Sequence, residues 1–366
     1  MKYWRNFDWL LLGIPVLMVL FSTVMLYAIS RWAPEVPHST PEKQALYLMA
    51  GLVVYFILTN LDYKVIRAWI TPMYVATLIA LVGVSLLGHS ANGSQRWFNL
   101  GFIQLQPSEP AKLVVILMLA RLFADRESKI KNFSTLILSL AVAGIPAALV
   151  MRQPDFGTAM VLGAVWFVIT VIASTPPVYV GGVAATAGAA APFAWNLLKP
   201  YQRNRFTSFL QPNKDPLGSG WNIIHARIAV GSGGPFGQWF SRATQSRLDF
   251  LRVQDKDFIF SVIAEQVGFF GVLVLFLFFG IVLMRIARVA FMSGDVFGRL
   301  AAAGILTMFL FQMFVNVGMN IGIMPVTGIP LPLISYGGSS LITSFAGLGI
   351  LQSILIRNKK LMFGTR

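Results

Sequence analysis

Ten apolar runs divide this chain, the fourth of them short, and they constrain its fold more than any other feature. A helix needs about 20 apolar residues to cross the hydrocarbon core of a bilayer. The runs cover residues 9–30, 44–60, 68–88, 110–124, 134–151, 157–175, 177–197, 260–285, 299–320 and 337–357. Charged residues make up only 12% of the chain, well below the share usual in soluble domains. The sequence therefore predicts an all-α polytopic membrane protein with about ten transmembrane helices.

The basic residues predict how these helices are oriented. The net charge of +15 would suggest a nucleic-acid partner in a soluble protein. Here, with the N terminus inside, fifteen Lys and Arg fall in inside segments and five in short outside segments. The positive-inside rule then places both termini in the cytoplasm. We expect one integral-membrane domain, 1–366, and no nucleic-acid partner.

Residues 198–258, between the seventh and eighth runs, form the only long segment outside the membrane. A segment of this length favours a functional cap or lid. Its six arginines, Arg205 among them, suit either phosphate groups or anionic lipid headgroups. Its GSGGPFG stretch (231–237) lacks the GK[ST] ending of a nucleotide loop and is interpreted as a flexible turn between short helices.

The first polar cluster on the outer side occupies residues 92–113. Arg96 and Trp97 lie in a Gly-rich loop, and Glu109 and Lys112 stand three residues apart where the fourth run begins. This spacing puts the two charges on one helix face, close enough to pair. The pair either supports the start of that helix or belongs to a site, since charge at membrane depth is costly and often functional.

The second cluster, MRQPDFGTAM (151–160), places Asp155 at the start of the sixth run. An acid there either caps the helix or serves a site. In a third cluster, VQDKDFIF, Asp255 and Asp257 precede the eighth run, and Glu265 lies two turns inside it.

The last cluster, residues 316–344, carries no charge and ends in SYGGSS, which contains Ser335. Non-helical backbone at membrane depth occurs where protein or a water-filled cavity surrounds it. The segment therefore lines a cleft or forms a packed re-entrant turn.

Several kinds of site are excluded by the residues themselves. Cysteine is absent, the three histidines are scattered, and there is no GxSxG elbow, which argues against a zinc centre and a Ser-His-Asp triad. Acids among basic neighbours suit proton abstraction from a hydroxyl beside a phosphate-bearing donor. The residues alone predict an outward cleft for an anionic, lipid-linked substrate, without naming the reaction.

Taken in order, the clusters resemble the SEDS family (shape, elongation, division, sporulation) over nearly the whole chain, with its rod-shape members closer than its division members. The motifs are RWFNLG (96–101), QPSEPAKL (106–113), QPDFGTA (153–159), RFTSFLQPNKDP (205–216), GSGGPFG (231–237), DFIFSVIAEQVGFFG (257–271) and GIPLPLISYGGSS (328–340).

The resemblance implies a peptidoglycan glycosyltransferase of the bacterial cytoplasmic membrane that polymerises lipid II on the outer face during cell elongation and releases undecaprenyl pyrophosphate. It implies as partners a class B penicillin-binding protein and other proteins of the elongation complex. No cofactor or metal site is predicted, and a divalent cation stays open.

By the same resemblance, Asp257 is the catalytic acid, predicted as general base, and Glu109, Lys112 and Asp155 match family positions. We expect Lys112 and loop arginines to hold the pyrophosphate, with Glu109 orienting Lys112. Trp97 would pack on a sugar or on the lipid tail.

Two stretches depart from the family pattern. The family commonly has His and Thr before the catalytic acid, where this chain has Asp255 and Lys256, so Asp255 is either a helper or a rival for the role. A Gln-Ser pair of the family is His225-Ala226 here. Alternatives to an enzyme are a lipid II flippase, for which Glu265 would be a typical intramembrane charge, and a non-catalytic scaffold.

Overall fold

The computed structural model describes residues 6–33, 36–87, 89–91, 94–99, 104–197, 200–218, 220–239, 243–248, 250–251 and 253–357. The long helices are α1 (Trp9–Trp32), α2 (Thr40–Asn60), α3 (Tyr63–Leu87), α4 (Ser108–Asp125), α5 (Phe133–Arg152), α6 (Phe156–Ile172), α7 (Pro177–Leu197), α11 (Ile259–Met292), α12 (Val296–Asn320) and α13 (Gly338–Arg357). Each corresponds to one predicted apolar run, so the helical membrane architecture is confirmed.

Within the described residues, seven helices are long and apolar enough to cross a membrane: α1, α2, α3, α5, α11, α12 and α13. Helix α6 and the first part of α7 are apolar but shorter. Helix α4 carries four charged residues, which lowers its hydropathy. The total of ten spans therefore stays a prediction.

Helix α4 tolerates its charges because protein surrounds it. It packs on α12, α3, α5, α6 and α13, and most of its side chains are buried. Helices α12 and α13 are enclosed in the same way, whereas α2 and α3 expose many large apolar side chains. The core thus lies around α4, α12 and α13.

The described part of the segment between α7 and α11 contains three short α-helices, α8 (Pro200–Leu210), α9 (Trp221–Ser232) and α10 (Thr244–Arg247). At the same end of the bundle, part of the expected Gly-rich loop is instead an antiparallel sheet of β1 (His89–Ala91), β2 (Ser94–Asn99) and β3 (Gln104–Leu105). Strand β2 pairs with both neighbours and carries Arg96 and Trp97.

Helix α11 breaks at Gly268, whose φ of 69° is outside the helical region. The GSGGPFG stretch fills this break. The Phe269 N–H donates to Gly234 O (2.8 Å), and the Phe270 N–H donates to Pro235 O (3.1 Å). The stretch forms the predicted turn after helix Trp221–Ser232, and two of its carbonyls also accept from the first amides of the second half of α11.

Candidate active site

The segment just before α11 is fixed by the loop that joins α12 to α13. The Tyr336 N–H donates to Asp255 O (2.8 Å), and the Ser335 hydroxyl donates to Lys256 O (2.6 Å). Ser335 also accepts from the Leu331 N–H (2.8 Å), and its side chain is buried. The predicted site residue Ser335 therefore links the loop between α12 and α13 to the segment before α11 through hydrogen bonds.

The carbonyl of the next residue, Asp257, is held by two amides of α12. Asn320 Nδ2 donates to it at 3.0 Å and Asn316 Nδ2 at 3.2 Å. Three successive carbonyls before α11 are thus bound by residues far along the chain. The backbone that presents the Asp257 carboxylate has little freedom left.

The Asp257 carboxylate lies in a cationic environment. It is partly buried, and loss of hydration raises its pKa to about 6. The positive charges of Lys256, Arg205 and Arg96 oppose this rise, and the negative charge of Asp255 adds to it. Among the described residues no hydrogen-bond donor contacts the carboxylate, so it is available to a hydroxyl group.

The other acid, Asp255, is more enclosed than Asp257. Its side chain is buried, and burial raises its pKa, although Lys256 opposes the shift. The Lys256 ammonium lies 5.9 Å from the centre of the Tyr336 ring. Both acids are thus part of one cluster, with Asp257 the more accessible.

An earlier part of the same loop between α12 and α13 approaches the carboxylate through Gly328. Its φ is +74°, and a Cβ placed there would lie 3.7 Å from Asp257 Oδ2. Arg205 Nη1 donates to Thr327 O (3.2 Å). Gly157 of the QPDFGTA motif packs against this loop, because a Cβ at Gly157 would come within 2.9 Å of Thr327 O. Four of the sequence motifs therefore meet at Asp257.

Asp155 caps helix α6, as one of its two interpretations predicted. Its carboxylate accepts from the Thr158 N–H (3.0 Å) and the Thr158 hydroxyl (3.0 Å). Gln106 Nε2 also donates to it (3.2 Å). The acid joins the start of α6 to the segment before α4.

Arg96 supports the same region from strand β2. Its Nε donates to Gln153 O (2.6 Å), and its Nη2 donates to Pro154 O. Trp97 beside it is partly exposed. Arg96 therefore borders the Asp257 region, and a contact of Trp97 with substrate stays a prediction.

Glu109 and Lys112 form the predicted ion pair, with 2.8 Å between Glu109 Oε1 and Lys112 Nζ. Only 4% of Glu109 and 1% of Lys112 is exposed. Protein encloses the ammonium, so direct contact with a pyrophosphate requires this pair to open. Burial with a partner is the usual condition for charge at this depth.

Glu265 has a structural role. Its two carboxylate oxygens accept from the N–H groups of Gln245 (2.7 Å) and Ser246 (2.9 Å) in the first turn of α10. His225, at the second departure from the family pattern, contacts Gln245 as well, with 2.7 Å between His225 Nδ1 and Gln245 Oε1. Glu265 thus lies apart from the Asp257 cluster.

Sequence reasoning missed Asn316 and Asn320, which hold the Asp257 backbone. The signal was present: two amides four residues apart on one helix face, in an apolar run. Polar side chains at such depth usually have a specific partner. Their partner could not be found from the sequence because it lies about 60 residues earlier.

Known proteins resemble this chain along its length. A family model described as "Cell cycle protein" (FTSW_RODA_SPOVE) matches residues 6–360. The chain is 35% identical to "Peptidoglycan glycosyltransferase MrdB" of Escherichia coli (strain K12), covering 94% of each protein. It is 31% identical to "Peptidoglycan glycosyltransferase RodA" of Treponema pallidum (strain Nichols), covering 96% of this chain and 98% of that protein.

Solved structures agree with these relatives. One matching chain belongs to work described as "Structural coordination of polymerization and crosslinking by a peptidoglycan synthase complex", with TM-score 0.83, 32% identity and coverage of 98% and 99% of the two chains. Another is the crystal structure of the Thermus thermophilus rod shape determining protein RodA, with TM-score 0.73, 29% identity and coverage of 97% and 99%.

Proposed function

The chain belongs to the FtsW/RodA/SpoVE family of cell cycle proteins, and from that premise we propose that Asp257 is the general base of its glycosyl transfer. The chain is a bacterial membrane enzyme, a peptidoglycan glycosyltransferase, as its relatives are. What remains to be assigned is the part each residue plays and the side of the membrane on which it acts.

The donor in this proposal is lipid II, as the family resemblance implies. The 4-hydroxyl of the acceptor GlcNAc gives its proton to the Asp257 carboxylate while its oxygen forms a bond to C1 of the donor MurNAc. The bond between C1 and the pyrophosphate oxygen breaks, and undecaprenyl pyrophosphate leaves with that electron pair. The glycan grows by one disaccharide unit.

The observation that carries the assignment is the Asp257 carboxylate itself. Its backbone is held by the end of α12 and by the loop between α12 and α13, its carboxylate oxygens have no donor among the described residues, and its pKa is about 6. A general base works best when its pKa lies near the operating pH, because it is then both ionised and basic. An ordinary Asp, with a pKa about two units lower, is a weaker base.

The leaving pyrophosphate requires positive charge, and Arg96 and Arg205 are the candidates near Asp257. Both lie close enough for their charges to lower the pKa of Asp257. A guanidinium presents several N–H donors in a plane and suits phosphate oxygens. Cations fixed in place stabilise charge that develops in the transition state.

The remaining candidates support this site. Lys112 adds a positive charge at the start of α4 and Glu109 fixes its position, while Asp155 and Ser335 hold the loops together. Trp97 supplies an aromatic surface for a sugar or for the lipid tail.

The proposed setting is the outer face of the bacterial inner membrane, during cell elongation. A class B penicillin-binding protein would crosslink the strands that this chain makes, within a complex of other elongation proteins. Support comes from the similar chain that occurs in a peptidoglycan synthase complex which coordinates polymerisation and crosslinking.

The first prediction concerns the base. Purified protein with its transpeptidase partner, given fluorescent lipid II, makes glycan chains that are resolved on a gel. Asp257→Asn keeps the shape of the side chain and removes its basicity. We expect the rate to fall about 10²- to 10⁴-fold, the usual contribution of general base catalysis.

Asp255→Asn is the matched control, since it changes a neighbouring acid in the same way. Polymerisation at the normal rate by Asp257→Asn would show that the base is another group. Loss of polymerisation only in Asp255→Asn would transfer the role to Asp255. Runs with and without magnesium or manganese test the divalent cation that the sequence leaves open.

A further inference from the structure

Helix α11 starts without a capping side chain of its own. The residue at its N-cap position, Phe258, has no side-chain oxygen to accept from the first-turn amides. Asn320, at the end of α12, replaces it. Its Oδ1 accepts from the Ser261 N–H (3.2 Å) and from the Ser261 hydroxyl (2.6 Å).

The Asp257 carbonyl also depends on partners outside α11. The hydrogen-bond ladder of α11 begins one residue later, where Val262 N donates to Phe258 O (3.3 Å). The two amides of Asn316 and Asn320 provide the donors that the Asp257 carbonyl receives. A buried carbonyl without a donor would cost about 1–3 kcal/mol.

The two asparagines are themselves fully buried, at 0% exposure, and are fully used. Asn320 Nδ2 also donates to Asn316 O (2.8 Å), and Asn316 Nδ2 also donates to Ile329 O (2.8 Å). A buried amide is tolerated only when its polar atoms are paired. This pair links the acid-bearing segment, the end of α12 and the loop beside Gly328.

We propose that Asn316 and Asn320 are positioning residues for glycosyl transfer. They fix the backbone of Asp257 and, through the Ile329 carbonyl, the loop that faces its carboxylate. With the backbone fixed, the carboxylate moves only by rotation about two side-chain bonds. The inference rests on the proposed role of Asp257 as base and adds what holds that base in place.

A small displacement matters because proton transfer requires hydrogen-bond distance, about 2.6–3.2 Å between heavy atoms. A shift of about 1 Å is enough to cost roughly 10²-fold in rate. The asparagines touch neither the reacting hydroxyl nor the pyrophosphate in this proposal. Their loss is therefore expected to change kcat and to leave KM nearly unchanged.

The main test variant is Asn320→Leu, which keeps the approximate shape and removes every hydrogen bond of the amide. We expect kcat for lipid II polymerisation to fall ten- to hundred-fold. We also expect the acid limb of the pH–rate profile to move to lower pH, because a displaced carboxylate regains hydration. The pKa of Asp257 then depends on the nearby charges, of which Lys256, Arg205 and Arg96 lower it and Asp255 raises it.

Asn316→Ser is the milder variant, since it loses the reach to the Asp257 carbonyl and leaves Asn320 in place. We expect a reduction in kcat of several fold. If Asn320→Leu does not give a monodisperse protein, this variant decides the question alone. Wild-type kcat together with an unmoved acid limb in the folded variants overturns the proposal.

Gln352→Leu is the control for placing leucine at a buried amide. Gln352 lies near the C-terminal end of α13 and is fully buried, and among the described residues neither of its amide atoms has a hydrogen-bond partner. We expect wild-type kinetics from it. Normal activity of Asp257→Asn would overturn the assignment of Asp257 as the base. An inactive Asp257→Asn together with fully active variants of Asn316 and Asn320 would overturn only the positioning role.

Discussion

At the scale of single residues, the central observation is that the pKa of Asp257 is raised although positively charged side chains surround it. Three positive groups lower its pKa, yet loss of hydration outweighs them and the pKa rises to about 6. Asp255 contributes to the rise through its negative charge. The departure from the family pattern at Asp255 therefore has an electrostatic effect on Asp257, whatever else it does.

This effect predicts a pH dependence. The base works ionised, so polymerisation should fall as pH drops through about 6. Replacing Asp255 by Asn removes a negative neighbour, which lowers the pKa of Asp257 and moves the acid limb to lower pH. Initial rates between pH 4.5 and 8 in wild type and Asp255→Asn measure the shift. An acid limb that moves to higher pH, or that stays in place, would contradict an electrostatic effect of Asp255 on Asp257.

At the scale of elements, the break in α11 joins the membrane helix to the segment between α7 and α11. The stretch 231–237 enters the break, and Gly237 and Gly268 allow the two backbones to touch. On the same half of α11, the Gln238 N–H donates to the Glu265 carbonyl (2.9 Å), and the Glu265 carboxylate caps α10. Helices α9 and α10 are thus fixed to the part of α11 that begins beside Asp257.

Gly237→Ala tests this joint. Its φ is +80°, and an added Cβ would overlap the Gln266 carbonyl. We expect a loss of about 2–4 kcal/mol in the free energy of unfolding, from strained backbone and overpacking together. The melting temperature in detergent should fall by several degrees, and polymerisation should fall with it.

Gly280→Ala is the matched control on the same helix, because a Cβ there meets nothing within 4 Å. Alanine in a helix interior is slightly favoured over glycine. Its melting temperature should equal or exceed that of wild type. Equal melting temperatures for both variants would show that the joint tolerates a side chain and is looser than its contacts imply.

At the scale of the whole molecule, the buried ion pair lies on an enclosed helix, whereas outer helices expose apolar side chains. The pair Glu109–Lys112 lies on α4, inside the bundle, while α2 and α3 expose apolar side chains. The sheet and the short helices α8–α10 gather at one end with Asp257. By the positive-inside rule, the excess of Lys and Arg at the opposite ends of the helices predicts that the Asp257 end lies outside the cell.

The chain contains no cysteine, so single-cysteine variants test this orientation directly. Leu217 lies between α8 and α9 and is 78% exposed, and Ser128 lies exposed between α4 and α5. In intact spheroplasts a membrane-impermeant maleimide should label Leu217→Cys and should label Ser128→Cys only after lysis. The reverse pattern would invert the predicted topology.

The sequence by itself determined what depends on local pattern. Run length gave the helices, because a bilayer requires a fixed span of apolar residues. Spacing gave the Glu109–Lys112 pair, because residues three apart share a helix face. The cost of charge near an apolar run directed attention to Asp257 and Asp155, and the cap at Asp155 was one of the two roles that its position predicted.

Only the tertiary structure decided what depends on contacts between distant segments. The pKa of Asp257 reflects burial and charges brought from other elements, and its backbone is held by Asn320, 63 residues away. The same is true of Glu265, which from sequence was a charge in an apolar run and in the structure caps α10. Local pattern shows that a buried polar group needs a partner, but three-dimensional packing decides which group that partner is.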